Sequence, residues 1–171
     1  LRTASHTLRA ALGRLHPLLL ATVAAALPAT GQEQPPRNPD GTIQFRHALD
    51  NGPLALEFRA QQTISPAVER FHRTGENPYC GDQAAIQAGR SLWQQWCVSC
   101  HLADGSGRLG PSLVDDNDRY PRVATDVGMF EVIYGGGAGA MQAFGRRMDQ
   151  DAILKLMAYL DTLRARQSGR R

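Results

Sequence analysis

The chain has 171 residues, 42% of them hydrophobic and 20% charged. That length and composition leave room for one domain plus processed or irregular ends, and exclude wholesale disorder and multiple membrane spans. Only 6% of the residues are aromatic and the formal charge is +3, so side chains alone make a lean core, and the modest basicity has to be located before it is read as a nucleic-acid signal.

It is located at the N-terminus. Arg2, Arg9 and Arg14 precede an apolar run from Pro17 to Leu27, with no acidic residue before Glu33. A basic segment followed by an apolar run shorter than the ~20 residues of a membrane span is the pattern of a secretory signal peptide. Small residues at Ala29-Thr30-Gly31 suit a peptidase, with cleavage expected before Gln32 or near Ala29. Removing residues 1–31 takes three of the 19 basic residues and none of the 16 acidic ones, leaving a formal charge of zero. Nucleic-acid binding is therefore set aside. Lys155 is the sole lysine, which also rules out a lysine-rich docking ring.

Residues 32–41 are polar and proline-rich and read as a mobile leader. Two alternating runs, Ile43/Phe45 and Leu54/Leu56/Phe58, flank the turn formers Asp50-Asn51-Gly52-Pro53 and predict a small hairpin or extended flap. Ser65-Pro66 opens a short helix through His72 that Gly75 ends. From Asp82 to about Cys97, Ala85, Ile86, Gly89, Leu92, Trp93 and Trp96 recur at helical spacing and mark one apolar helix face. A breaker-rich loop follows, with Gly105, Gly107, Gly110 and Pro111 and then Asp115, Asp116 and Asp118. Thr125 to Tyr134 is a short helix stopped by Gly135-Gly136-Gly137, a second loop carries Met141, and Asp149 to Arg164 is a closing helix with arginines opposing its dipole. Gly89 and Trp93 should meet Tyr159 and Leu160 where these two long helices cross as an orthogonal pair. The fold class is all-α apart from the N-terminal hairpin or extended extension.

The chemistry lies in Cys97-Val98-Ser99-Cys100-His101. Two thiols three residues apart, followed directly by an imidazole, are what covalent haem attachment requires: each thiol adds to one vinyl group and the histidine lies beneath the iron. Three other readings compete. A thioredoxin-like dithiol belongs at a helix N-terminus, whereas this pair ends a helix. A zinc site would have to recruit Cys80, with no second Cys-x-x-Cys or histidine pair. A Cys97–Cys100 disulfide would close a strained short loop.

Two downstream features favour haem. Pro111, ten residues after His101, offers a carbonyl that can accept the second N–H of a ligating imidazole. Of the four methionines, Met129 and Met157 sit at helical spacing among apolar residues and Met148 adjoins two arginines at a helix start. Met141 lies in Gly135-Gly136-Gly137-Ala138-Gly139-Ala140-Met141, a stretch able to approach a flat porphyrin, and is the expected thioether ligand. With Cys97 and Cys100 consumed, Cys80 is left as a single unpaired thiol.

The haem motif, Gly110-Pro111-Ser112-Leu113 and Met141 resemble a class I cytochrome c. Gly75-Glu76-Asn77-Pro78-Tyr79, Val114-Asp115-Asp116-Asn117, Tyr120-Pro121, Thr125 to Phe130 and Ile133-Tyr134-Gly135-Gly136 further resemble the cytochrome cL family. The likeness covers about residues 42–165, with Cys80 as a departure. It implies a class I fold around one haem c, and a periplasmic monomer that takes single electrons from a methanol dehydrogenase containing pyrroloquinoline quinone (PQQ) and passes them to another cytochrome c or an oxidase. It also makes Arg119, Tyr120 and Arg122 candidates for haem-propionate contacts, with solvated surface positions as the alternative. The chain then divides into a signal peptide (1–31), a leader and extension (32–75) and a haem domain (76–171). A haem enzyme with a displaceable sixth ligand, such as a peroxidase, and a carrier for a different dehydrogenase are the competing functions. Asp115, Asp116 and Asp118 lack EF-hand spacing and read as a solvated loop, with calcium or a basic partner surface as alternatives.

Overall fold

In the computed structural model the described residues are 34–58, 62, 64–115 and 120–169, all within the compact unit Glu33–Arg171. The expected signal peptide lies outside them. Among the described residues five α-helices follow one another: α1 Pro66–Thr74, α2 Gln83–Trp96, α3 Val98–His101, α4 Asp126–Gly135 and α5 Gln150–Ser168, with a 3-10 turn Pro121–Ala124 before α4.

The helix starts follow from local chemistry. Ser65, Asp82, Thr125 and Asp149 each accept a backbone N–H of the first turn through their side chains, from Val68, Ala85, Gly128 and Ala152 respectively, satisfying donors that a helix start leaves without partners. Gly75 ends α1 at φ 76°, and its N–H returns to the Phe71 carbonyl, as left-handed C-caps do. The closing helix runs to Ser168 rather than stopping at Arg164.

α2 and α5 form the central pair. Ala85, Ile86, Gly89 and Trp93 are the buried positions of α2, and Ile153, Leu154, Met157, Ala158, Tyr159, Leu160 and Leu163 those of the apolar stripe on α5. The expected contact is present: the Trp93 and Tyr159 rings lie 6.1 Å apart. The scarce aromatics are concentrated, with Phe45, Phe71 and Phe130 meeting at centroid distances of 5.8, 5.3 and 5.0 Å. Met129, Met148 and Met157 all belong to the core.

Of the two expected forms, hairpin or extended segment, the extension takes the second. It forms no strand among the described residues, only the antiparallel bridges Arg37–Ile43 and Arg46–Pro53. The reason is local. Pro53 has no N–H for a ladder, the Arg46 amide donates to the Glu131 carboxylate at 2.6 Å, and the Ile43 amide to the His72 carbonyl. In the described part of the leader, Arg37 donates to the carbonyls of Gly41 and Arg73, and Gln44 N–H reaches the Pro36 carbonyl. Ile43, Phe45 and Leu54 join the same core as Phe130 and Ile153.

Candidate haem site

Cys97 follows the last residue of α2 and its N–H still donates to Trp93. The chain then turns into α3, where the amides of Cys100 and His101 both donate to the Cys97 carbonyl. One tight turn thereby sets two thiols a helical turn apart with the imidazole next to the second. His101 is buried at 6% exposure and its Nδ1 lies 2.9 Å from the Pro111 carbonyl. A proline carbonyl only accepts, so Nδ1 carries the proton and Nε2 presents its lone pair.

The loop bearing Pro111 is shaped around that ring. A Cβ on Gly110 would lie 2.5 Å from His101 Cε1, a position only glycine can fill. Gly107 and Gly110 amides return to the carbonyls of His101 and Cys100. Leu102, at φ 62°, takes the sharp exit from α3, and the Trp93 indole N–H holds its carbonyl at 3.2 Å. Such backbone strain is sustained where surrounding contacts over-determine it.

The competing chemistries fit poorly. Burial, and then the neighbouring Cys100, push the Cys97 thiol up to about 12, opposite to the lowered value of a reactive dithiol. Cys80 is exposed, and among the described residues no three His, Cys, Asp or Glu side chains gather as a metal site. A cleft of about 580 Å³ exists between α2, α5 and residues 103–115, lined by Arg90, Ser106, Tyr159 and Arg166 among others. It contains none of Cys97, Cys100, His101 or Met141.

Met141 is partly buried against the core, which sets it apart from the other three methionines, all of them buried. Its loop closes on itself through Gly137 N–H to the Met141 carbonyl at 3.0 Å. Of the three propionate candidates, Arg119 lies outside the described residues, as do Asp116 and Asp118. The Tyr120 hydroxyl accepts the Ala138 N–H at 2.6 Å. Arg122 is turned to the protein instead. It pairs with Glu131 at 2.7 Å, donates to Asn51 Oδ1 and reaches the carbonyls of Arg46 and His47. Sequence reading missed Glu131, which in sequence is one more acidic residue of a short helix. The donor set suits haem c: two thiols one turn apart, an imidazole fixed through Nδ1, a thioether on a glycine-rich loop, and a glycine where the proximal ring needs clearance.

The sequence relatives agree. Residues 84–160 match the family model described as cytochrome c oxidase, cbb3-type, subunit III. Cytochrome c-L of Methylorubrum extorquens is 35% identical over 136 residues, covering 79% of this chain and 68% of that protein. The chain belongs to the cytochrome cL family. Two crystal structures of cytochrome cL superpose on it. That from Methylophaga aminisulfidivorans gives a TM-score of 0.69 at 40% identity, covering 71% of this chain and 81% of that one. That from Hyphomicrobium denitrificans gives 0.67 at 34%, covering 70% and 73%. The cbb3-type oxidase subunit CcoP of Azospirillum brasilense is a more distant relative, 29% identical over 89 residues. As a cytochrome cL the protein has the class I cytochrome c fold, carries covalently bound haem c, and is an electron-transfer protein rather than an enzyme.

Proposed function

We propose that this cytochrome cL is a periplasmic one-electron carrier that accepts electrons from a PQQ-dependent methanol dehydrogenase and delivers them to another cytochrome c or an oxidase. Cys97 and Cys100 would hold the haem covalently, and the His101 imidazole and the Met141 thioether would be the ligands of its iron. The observation that carries the reading is the Pro111 clamp on His101: an imidazole locked through Nδ1 at 2.9 Å has one nitrogen left and one direction in which to offer it. With two protein ligands the haem supplies a single-electron couple and no open position for substrate. The chain's own residues fix the imidazole, bring up the thioether and exclude water from the proximal side.

The basic and apolar N-terminus supports export and removal of residues 1–31, and no helix among the described residues is long and apolar enough to cross a membrane. The family name supports the donor, since cytochromes cL take part in methanol oxidation. Transient redox encounters bury small surfaces, below about 1,200 Å², and a processed protein with no formal net charge has to rely on local charged patches or apolar contact.

The experiment is stopped-flow reduction of the purified ferric protein by a reduced PQQ-dependent methanol dehydrogenase from the same source, across a range of ionic strength. Saturable reduction well above that of an unrelated cytochrome c is expected. A steep fall with salt identifies charge-led docking, and little change identifies apolar docking. Reduction no faster than the unrelated protein's at any ionic strength rules out this donor.

A further inference from the structure

The loop that carries Met141 has few side chains to hold it. Ala138, Gly139 and Ala140 are all exposed, and the backbone bond from Gly137 to Met141 closes the loop only on itself. Its outer end is attached to the body of the protein through the Tyr120 hydroxyl, 2.6 Å from the Ala138 amide. The same hydroxyl lies 3.4 Å from where a Cβ on Gly137 would stand, so the phenol packs along the strip of backbone leading to Met141.

Tyr120 itself stands on a firm base. Its carbonyl accepts the Val123 amide at the start of the 3-10 turn. Two residues on, Arg122 is locked to buried Glu131 of α4 at 2.7 Å and to Asn51 of the extension. The Met141 loop is thus tethered to a segment that is tied to both α4 and the extension.

We propose that Tyr120 is a positioning residue for the axial methionine, its hydroxyl pinning the Ala138 amide and so setting how readily Met141 gives way to an external ligand. The proposal rests on Met141 as the axial ligand. An external ligand binds the ferric iron only when the thioether has left, so its apparent affinity is reduced by the fraction of molecules whose loop is open. Removing the pin enlarges that fraction by the worth of one hydrogen bond, roughly three- to ten-fold.

The test is titration of the ferric holoprotein with imidazole at fixed pH, followed in the visible spectrum, for wild type, Tyr120→Phe, Tyr134→Phe and Met141→Ala. Tyr134→Phe is the control for loss of a phenolic hydroxyl, because that hydroxyl bonds the Glu57 amide and carbonyl of the extension. Tyr120→Phe is expected to keep the resting spectrum of the wild type and to bind imidazole roughly three- to ten-fold more tightly, with Tyr134→Phe unchanged. Wild-type affinity in Tyr120→Phe overturns the proposal, as does an equal gain in both phenylalanine variants, which would mean general loosening. A wild-type resting spectrum in Met141→Ala overturns the ligand assignment and the pin with it. That outcome is distinct from a failure of Tyr120 alone.

Discussion

Gly89 of α2 lies directly against the main-chain carbonyl of Lys155 on α5, so close that any Cβ at residue 89 would overlap that oxygen and stand 3.0 Å from the Tyr159 Cβ. The obstacle is backbone, which cannot rotate aside as a side chain can. Gly89→Ala is therefore expected to force the two central helices apart and cost about 3 kcal/mol, the upper end of ordinary overpacking. Urea unfolding of the holoprotein measures it, and an unchanged midpoint and slope would show that α2 and α5 can separate freely.

A second prediction concerns the carboxylate of Glu131, whose side chain is 7% exposed. Burial raises its proton affinity, while the Arg46 amide and the Arg122 guanidinium act in the opposite direction. Arg122→Ala leaves that carboxylate buried without its cation and is expected to cost about 3 kcal/mol. Because Arg122 also holds Asn51 and the carbonyls of Arg46 and His47, the loss should be accompanied by faster amide exchange over residues 46–53. Uniform destabilisation with no local increase there would contradict the latch.

Acid–base behaviour should centre on Asp161. Burial, then the nearby Asp126 carboxylate of α4, push its carboxyl up to about 6 from the ordinary 3.8, with Arg164 pulling the other way. A carboxyl whose value is raised by folding favours the native state while protonated. Its contribution is complete below about 4 and is lost as the pH rises through about 6. For a half-buried group, screening reduces the full linkage value to roughly 1–2 kcal/mol. Unfolding free energies measured between pH 4 and 7 should fall accordingly in the wild type and less steeply in Asp161→Asn, whereas identical slopes in both would remove Asp161 from the account.

The methionines should separate into two kinds. Met129 and Met157 are 5% and 0% exposed, so alanine at either should keep the ferric spectrum and lose about 2–5 kcal/mol of stability. Met141→Ala should convert the ferric iron to a water-ligated or high-spin form. Visible and near-infrared spectra of the three variants decide the assignment, and a ligation change in Met129→Ala or Met157→Ala without one in Met141→Ala would reverse it.

Much of this protein is local and was legible in order along the chain. Cys97, Cys100 and His101 fall within one turn whatever the rest of the molecule does, because covalent spacing and helical pitch fix their separation. Ser65, Asp82 and Gly75 act on amides and carbonyls within four residues, so the limits of α1 and α2 could be read from sequence to within a residue or two. Gly89 and Trp93 announced the α5 contact because a glycine in an apolar stripe leaves a gap that a second helix fills. Tertiary structure decided what depends on the path of the chain between distant segments. Arg46 and Arg122 converge on Glu131 from 85 and 9 residues away, which turned Arg122 inward and fastened the extended segment with a side-chain latch. Met148, placed by sequence beside two arginines, is 4% exposed because the turn before α5 folds it back into the core. Tyr120 reaches Ala138 across 18 residues. Such pairings carry no periodic signal, since each is set by the packing of the elements on which the two partners ride.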